Sequence, residues 1–118
     1  MKKAIGYIRL STTEQDEKFG ATAQKNAIEL FAREKGYEIV AWNKDVISGV
    51  SDERPELNKI LYGDDVVNPP FEAVIVFKSD RLARDTKLYF YYLYLLEKKG
   101  VKLLSVEESF GDDEMFAN

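Results

Sequence analysis

The sequence predicts an α/β domain of three layers: a mainly parallel sheet of four to five strands with helices on both faces. Two observations carry this. Apolar runs at residues 4–8, 37–42, 73–77 and 101–106 have the length and continuity of buried strands. Between them lie stretches with apolar residues at helical spacing, so the order reads β-α-β-α-β-α-β. Strands that alternate with helices imply a parallel sheet joined by right-handed crossovers. At 118 residues the chain has the size of one common domain, and no segment of it repeats.

The first strand, Ala4-Ile5-Gly6-Tyr7-Ile8, runs into Arg9-Leu10-Ser11 and then a polar loop that reaches Gly20. Ligands of open α/β sheets sit at the carboxyl ends of strands. This strand therefore hands a guanidinium and a hydroxyl to the usual place for a site. A helix begins near Ala21, with Thr22 as its expected N-cap and Ala23, Ala27, Leu30 and Phe31 as its apolar stripe. It closes at Gly36, after the basic Lys35 at the negative end of the dipole.

The second strand is expected over 37–42, followed by a polar loop over 43–53. Arg54-Pro55 opens a short helix, because proline is favoured in a first turn. Leu57, Ile60 and Leu61 form its apolar face, and it stops near Gly63. Residues 64–70 read as an acidic connector. The third strand has 73–77 as its buried part and leads into Lys78-Ser79-Asp80-Arg81-Leu82-Ala83-Arg84-Asp85. Asp85 is the expected cap of a helix over 86–99, closed by Gly100. Leu88, Tyr91, Tyr92, Leu95 and Leu96 form the stripe expected to cover the sheet. Phe90, Leu93 and Tyr94 lie off that stripe and read as a partner surface. Residues 101–106 make the fourth strand, and the acidic 107–118 lacks a core pattern.

Composition narrows the chemistry. With no cysteine there are no disulfides or thiolate metal sites, and with no histidine there is no Ser-His-Asp triad or two-histidine metal motif. Acid–base work falls to Asp, Glu, Lys, Tyr or Arg. The formal charge is -4, whereas a domain that holds nucleic acid alone is usually basic. Phosphate chemistry would need arginines clustered within an acidic whole. No apolar run approaches the ~20 residues of a membrane span and no signal-peptide pattern opens the chain. A cytoplasmic location, with no membrane partner, is the default expectation.

Arginines do cluster at two strand ends: Arg9 with Ser11, and Arg81 and Arg84 beside Lys78 and Asp80. Arg54 joins them at a helix start, where N–H groups favour anions. The planar fork of arginine matches phosphate oxygens. Taken singly, each residue has a blander reading. Asp80 to Asp85 suits a helix start laced with surface salt bridges, Tyr7 a core position, Gln24 a solvated helix face, and Asp45 and Ser48 turn formers.

Together, Tyr7-x-Arg9-x-Ser11, Thr22-Ala23-Gln24, Asp45-Val46-Ile47-Ser48-Gly49, Arg54-Pro55-Glu56-Leu57 and Asp80-Arg81-Leu82-Ala83-Arg84-Asp85 resemble the serine recombinase family of resolvases, invertases and large serine integrases. The blocks occur in the family's order and cover nearly the whole chain. The resemblance implies a resolvase-like sheet of flavodoxin-like strand order. It also implies a nucleophile at Ser11 that attacks a DNA phosphodiester, leaving a 5′-phosphoserine link and a free 3′-hydroxyl. Arg9, Arg54, Arg81 and Arg84 match the phosphate-binding arginines, Asp80 the acidic residue beside them, and Tyr7, Gln24, Asp45 and Ser48 supporting positions. No metal or other cofactor is expected. The expected partners are DNA and further copies of the protein, as a dimer and a synaptic tetramer.

Two departures qualify the match: the 64–70 connector is longer than a compact resolvase turn, and the chain stops where the family continues into a long dimerisation helix. Residues 1–118 are therefore expected to be a catalytic domain cut from a larger integrase or transposase, lacking its DNA-binding region. The alternatives are a recombinase-like domain that acts only as an interaction or regulatory module, and a generic phosphate-ligand domain. The latter lacks any glycine-rich phosphate loop.

Overall fold

The computed structural model describes residues 1–11, 20–47, 54–63, 70–83 and 85–107. The expected 64–70 connector apart from Pro70, and the expected 107–118 tail apart from Glu107, lie outside them. Four strands form one sheet: β1 (Lys2–Ser11), β2 (Tyr37–Ile47), β3 (Ala73–Val76) and β4 (Lys102–Ser105). All neighbours pair in parallel, in the order β2-β1-β3-β4. The helices are α1 (Ala21–Lys35), α2 (Pro55–Tyr62), α3 (Ser79–Leu82) and α4 (Thr86–Lys98).

The central strands alternate between two cores, because successive strand side chains point to opposite faces. Ile5, Tyr7, Val74, Val76 and Leu103 pack with Leu57, Ile60 and Leu61 of α2 and Tyr89 and Leu96 of α4. Ala4, Ile8, Leu10, Ala73, Ile75 and Leu104 pack with Ile28 and Ala32 of α1. The three-layer expectation holds, with four described strands.

Several local expectations are corrected. Gly20, not Thr22, is the N-cap of α1, and no side chain caps that end. The buried stripe of α1 is Gln24, Ile28 and Ala32, while Leu30 is exposed. A glutamine was hard to see as the first member of a core stripe; it is drawn inward by a backbone carbonyl of β1. The second strand does not stop at Trp42 but runs to Ile47, so Asp45 is a strand residue rather than a turn former. The segment after β3 contains a separate four-residue helix, α3. On α4, Tyr91 is exposed at 49%, whereas Tyr89 is buried and Leu93 packs against the core. The aromatic stripe is thus rotated from the expected one, which leaves Phe90, Tyr91 and Tyr94 outward.

The helix ends at Pro55, Gly63 and Asp85 follow expectation, as do two that close on a left-handed glycine. Gly36 takes a φ of 84° and its N–H bonds the carbonyls of Ala32 and Arg33. After α4, Gly100 takes a φ of 75°; its N–H bonds Glu97 O, while Val101 N–H bonds Leu96 O. That pair of bonds is a Schellman ending, with Val101 and Leu96 both in the core.

Gly6 on β1 lies opposite Trp42 on β2. A methyl group at Gly6 would sit 2.3 Å from Trp42 Cζ3, so the indole occupies the space that any larger residue needs. Lys25 from α1 covers the ring, with Nζ 5.4 Å from its centroid. Gly6→Ala should therefore cost about 1–3 kcal/mol through overpacking. In a Trp42→Ala background the same change should cost less than half as much. Urea unfolding of the four variants measures the difference.

Candidate active site

β1 extends beyond β3. Its pairing with β3 ends at Tyr7, but its pairing with β2 continues to Ser11. A backbone acceptor in a buried setting must be satisfied, and beyond the end of the β3 pairing the carbonyl of Arg9 is met by side chains. Two side chains do this from opposite layers. Gln24 Nε2 of α1 donates to Arg9 O at 3.2 Å, and Arg81 Nη1 of α3 donates to it at 3.2 Å. The Arg9 side chain crosses the other way, with Nη2 donating to Asp80 O at 3.2 Å. Arg54 donates through Nη1 to Leu82 O, at the end of α3.

Arg9, Arg54 and Arg81 are all buried, at 8%, 5% and 6% exposure. Burying a guanidinium is costly unless it is well bonded. Here backbone carbonyls of β1 and α3 help to fix the position of each one. Asp80 stands beside them, largely in solvent, with Oδ1 3.7 Å from Arg81 Nε. Ser11 closes β1 half-buried, two residues beyond Arg9 and therefore on the same face of the strand. Three buried guanidiniums and the strand end that carries Ser11 thus share one end of the sheet, and guanidinium groups match the oxygens of a tetrahedral anion.

Asp45 holds the third arginine's helix. It is 3% exposed and accepts Tyr7 Oη–H at 2.8 Å, Glu56 N–H at 3.0 Å and Leu57 N–H at 3.0 Å. The N-terminus of α2 is fully accounted for. Pro55 has no N–H, Glu56 and Leu57 bond Asp45, and Asn58 N–H bonds Arg54 O at 2.9 Å. The side chain of the N-cap residue, Arg54, makes no capping bond; it reaches α3 instead. A carboxylate at this end also complements the helix dipole. Burial, and then the Asp45 charge, push the Tyr7 phenol well above its ordinary value of 10.0, so it serves as a neutral donor.

Eight of the ten sequence-derived residues are thus described: Tyr7, Arg9, Ser11, Gln24, Asp45, Arg54, Asp80 and Arg81. Arg84 and Ser48 lie outside the described residues. Sequence reasoning missed Asn43, which is 4% exposed and donates through Nδ2 to Glu56 Oε1 at 3.2 Å and Glu56 O at 3.4 Å. Once β2 is seen to run to Ile47, its period of two places Asn43 on the face of Asp45. Sequence reasoning also missed Lys99, which bonds the far end of α2.

Tyr7→Phe should cost about 1.5–3 kcal/mol, as for a hydrogen bond to a charged group. The folded phenol holds its proton to higher pH than the unfolded one, so its contribution is complete below pH 10 and is lost as pH rises above it. The stability gap between wild type and Tyr7→Phe should stay constant from pH 6 to 9. It should then shrink by about 1.4 kcal/mol per pH unit. Urea titrations across that range check this, and a gap unchanged at pH 11 would contradict it.

Residues 4–117 match the family described as "Resolvase, N terminal domain". The chain is 31% identical over 105 residues to a DNA-invertase of Enterobacteria phage P7, covering 89% of this chain and 49% of that protein. It thus spans about half the length of the curated relatives it matches. The crystal structure of the N-terminal catalytic domain of TP901-1 integrase superposes with a TM-score of 0.78 at 31% identity, covering 92% of this chain and 80% of that one. The C-terminal catalytic domain of ISC1926 TnpA, an IS607-like serine recombinase, gives a TM-score of 0.71 at 30% identity, with 91% and 71% coverage. The chain belongs to the resolvase N-terminal domain family of serine recombinases.

Proposed function

We propose that this chain is the catalytic domain of a site-specific DNA recombinase, of integrase, transposase or resolvase type, and that Ser11 is its nucleophile. The observation that carries the reading is the frame of three buried arginines around the carboxyl end of β1, where Ser11 lies. In the proposed reaction Ser11 Oγ attacks the phosphorus of a DNA phosphodiester. The Oγ–P bond forms and the P–O3′ bond breaks. The serine proton leaves, and the departing 3′-oxygen gains one. The products are a 5′-phosphoserine link and a free 3′-hydroxyl. The link conserves the energy of the broken bond, so the hydroxyl of an exchanged strand can attack it and reseal the backbone without nucleotide hydrolysis.

Each described residue has a role in this scheme. Arg9, Arg54 and Arg81 stabilise the charge that spreads over the nonbridging oxygens, the usual large contribution when donors are preorganised. Arg84 belongs to the same proposed set. Asp80 orients Arg81 or carries a proton. Gln24 holds the backbone of Arg9, and Tyr7 and Asp45 hold Arg54. The reaction as written draws on no metal or cofactor. DNA is the substrate, and exchange requires a dimer and then a synaptic tetramer of the whole protein, working in the cytoplasm. Residues 1–118 form the catalytic unit, with DNA recognition carried elsewhere in the protein. An acidic domain of charge -4 suits that division of labour.

The test uses the intact protein and a nicked duplex carrying the site it selects from random-sequence DNA. Ser11→Ala should form no covalent complex on a denaturing gel while binding the duplex normally. Arg81→Ala should slow cleavage by about 3 kcal/mol of lost transition-state stabilisation with little loss of binding. No covalent complex from the wild type would favour an interaction module, and a normal complex from Ser11→Ala would remove Ser11 from its role.

A further inference from the structure

Asp45 and Lys99 grip opposite ends of α2. Lys99 Nζ donates to Ile60 O at 3.0 Å and to Gly63 O at 3.1 Å. These carbonyls belong to the C-terminal turn of α2 and the residue after it, so an ammonium meets the negative end of the helix dipole while a carboxylate meets the positive end. Both contacts are made to backbone, so both fix the helix rather than one of its side chains. Lys99 is itself located by the Schellman ending of α4, which makes it a defined point on the core. α2 has eight residues, about 12 Å of rise, and Arg54 stands at its other end.

We propose that Lys99 is a positioning residue for Arg54, acting along α2. The inference rests on the catalytic reading above. Lys99 is exposed, so its bonds contribute little to global stability. Their consequence is placement: without them α2 pivots about the Asp45 contact, and the guanidinium at its N-cap shifts against α3. Catalysis is sensitive to such displacements, since a misplacement of about 1 Å can cost about a hundredfold.

The test compares Lys99→Met, which keeps the apolar stem, with Lys99→Arg, which keeps the charge. Two readouts are taken on the intact protein. One is the Arg54 Nε–H proton resonance, which reports the guanidinium's surroundings without any reaction. The other is the rate of covalent-complex formation on the nicked duplex. Lys99→Met should shift the resonance and slow cleavage about tenfold, with DNA affinity within about twofold of wild type. Lys99→Arg should restore both. An unmoved resonance in Lys99→Met overturns the proposal, whatever happens to the rate. A shifted resonance with an unchanged rate also overturns it. A shifted resonance in a protein whose wild type forms no covalent complex leaves the link between Lys99 and Arg54 standing and refutes the catalytic reading instead.

Discussion

The buried carboxylate of Asp45 is the constraint on which the site depends. Removed from water, it needs donors, and unmet needs in a core cost more than met ones contribute. Its three donors come from two other elements, the phenol of Tyr7 on β1 and the first-turn amides of α2. One side chain thus joins the central strand, the edge strand β2 and the helix that carries Arg54. The parallel register makes this possible. Tyr7 lies opposite Asn43 and Arg9 opposite Asp45, so the long phenol reaches forward along the sheet to the next residue on the same face.

β1 divides into two functions along its length. Its first half is sandwiched between two apolar cores. Its second half outruns β3, and polar side chains replace the missing ladder. The same carbonyl of Arg9 takes Gln24 from one layer and Arg81 from the other. Where β3 has stopped, a buried arginine is thereby held against the end of β1. Fold and site are coupled at this point, because what satisfies the backbone also places the positive charge.

Much of this was legible in the sequence, for identifiable reasons. Continuous apolar runs marked four strands, and Pro55, Gly36, Gly63, Asp85 and Gly100 marked helix ends through backbone chemistry that is local. The residue types at strand ends pointed to phosphate, and the order of motifs pointed to a family. What was hidden depends on long-range contacts. The extension of β2 through Asn43, Lys44 and Asp45 looks like a loop until Tyr7 and α2 supply partners for its polar residues. Gln24 looks solvated until the Arg9 carbonyl is known as its acceptor. The rotation of α4 that buries Tyr89 and exposes Tyr91 follows from packing among aromatics that the 3.6-residue period cannot rank. Lys99 carries no sequence signal, since only the meeting of α2 with the end of α4 gives it acceptors.

The most direct measurement is the mass spectrum of the protein trapped on its nicked duplex, digested with protease and nuclease. The account predicts one adduct, a nucleotide remnant joined through its 5′-phosphate to the peptide that contains Ser11, with fragmentation placing the mass on that serine. An adduct on Thr12 or Thr13, or attachment through a 3′-phosphate, would contradict it.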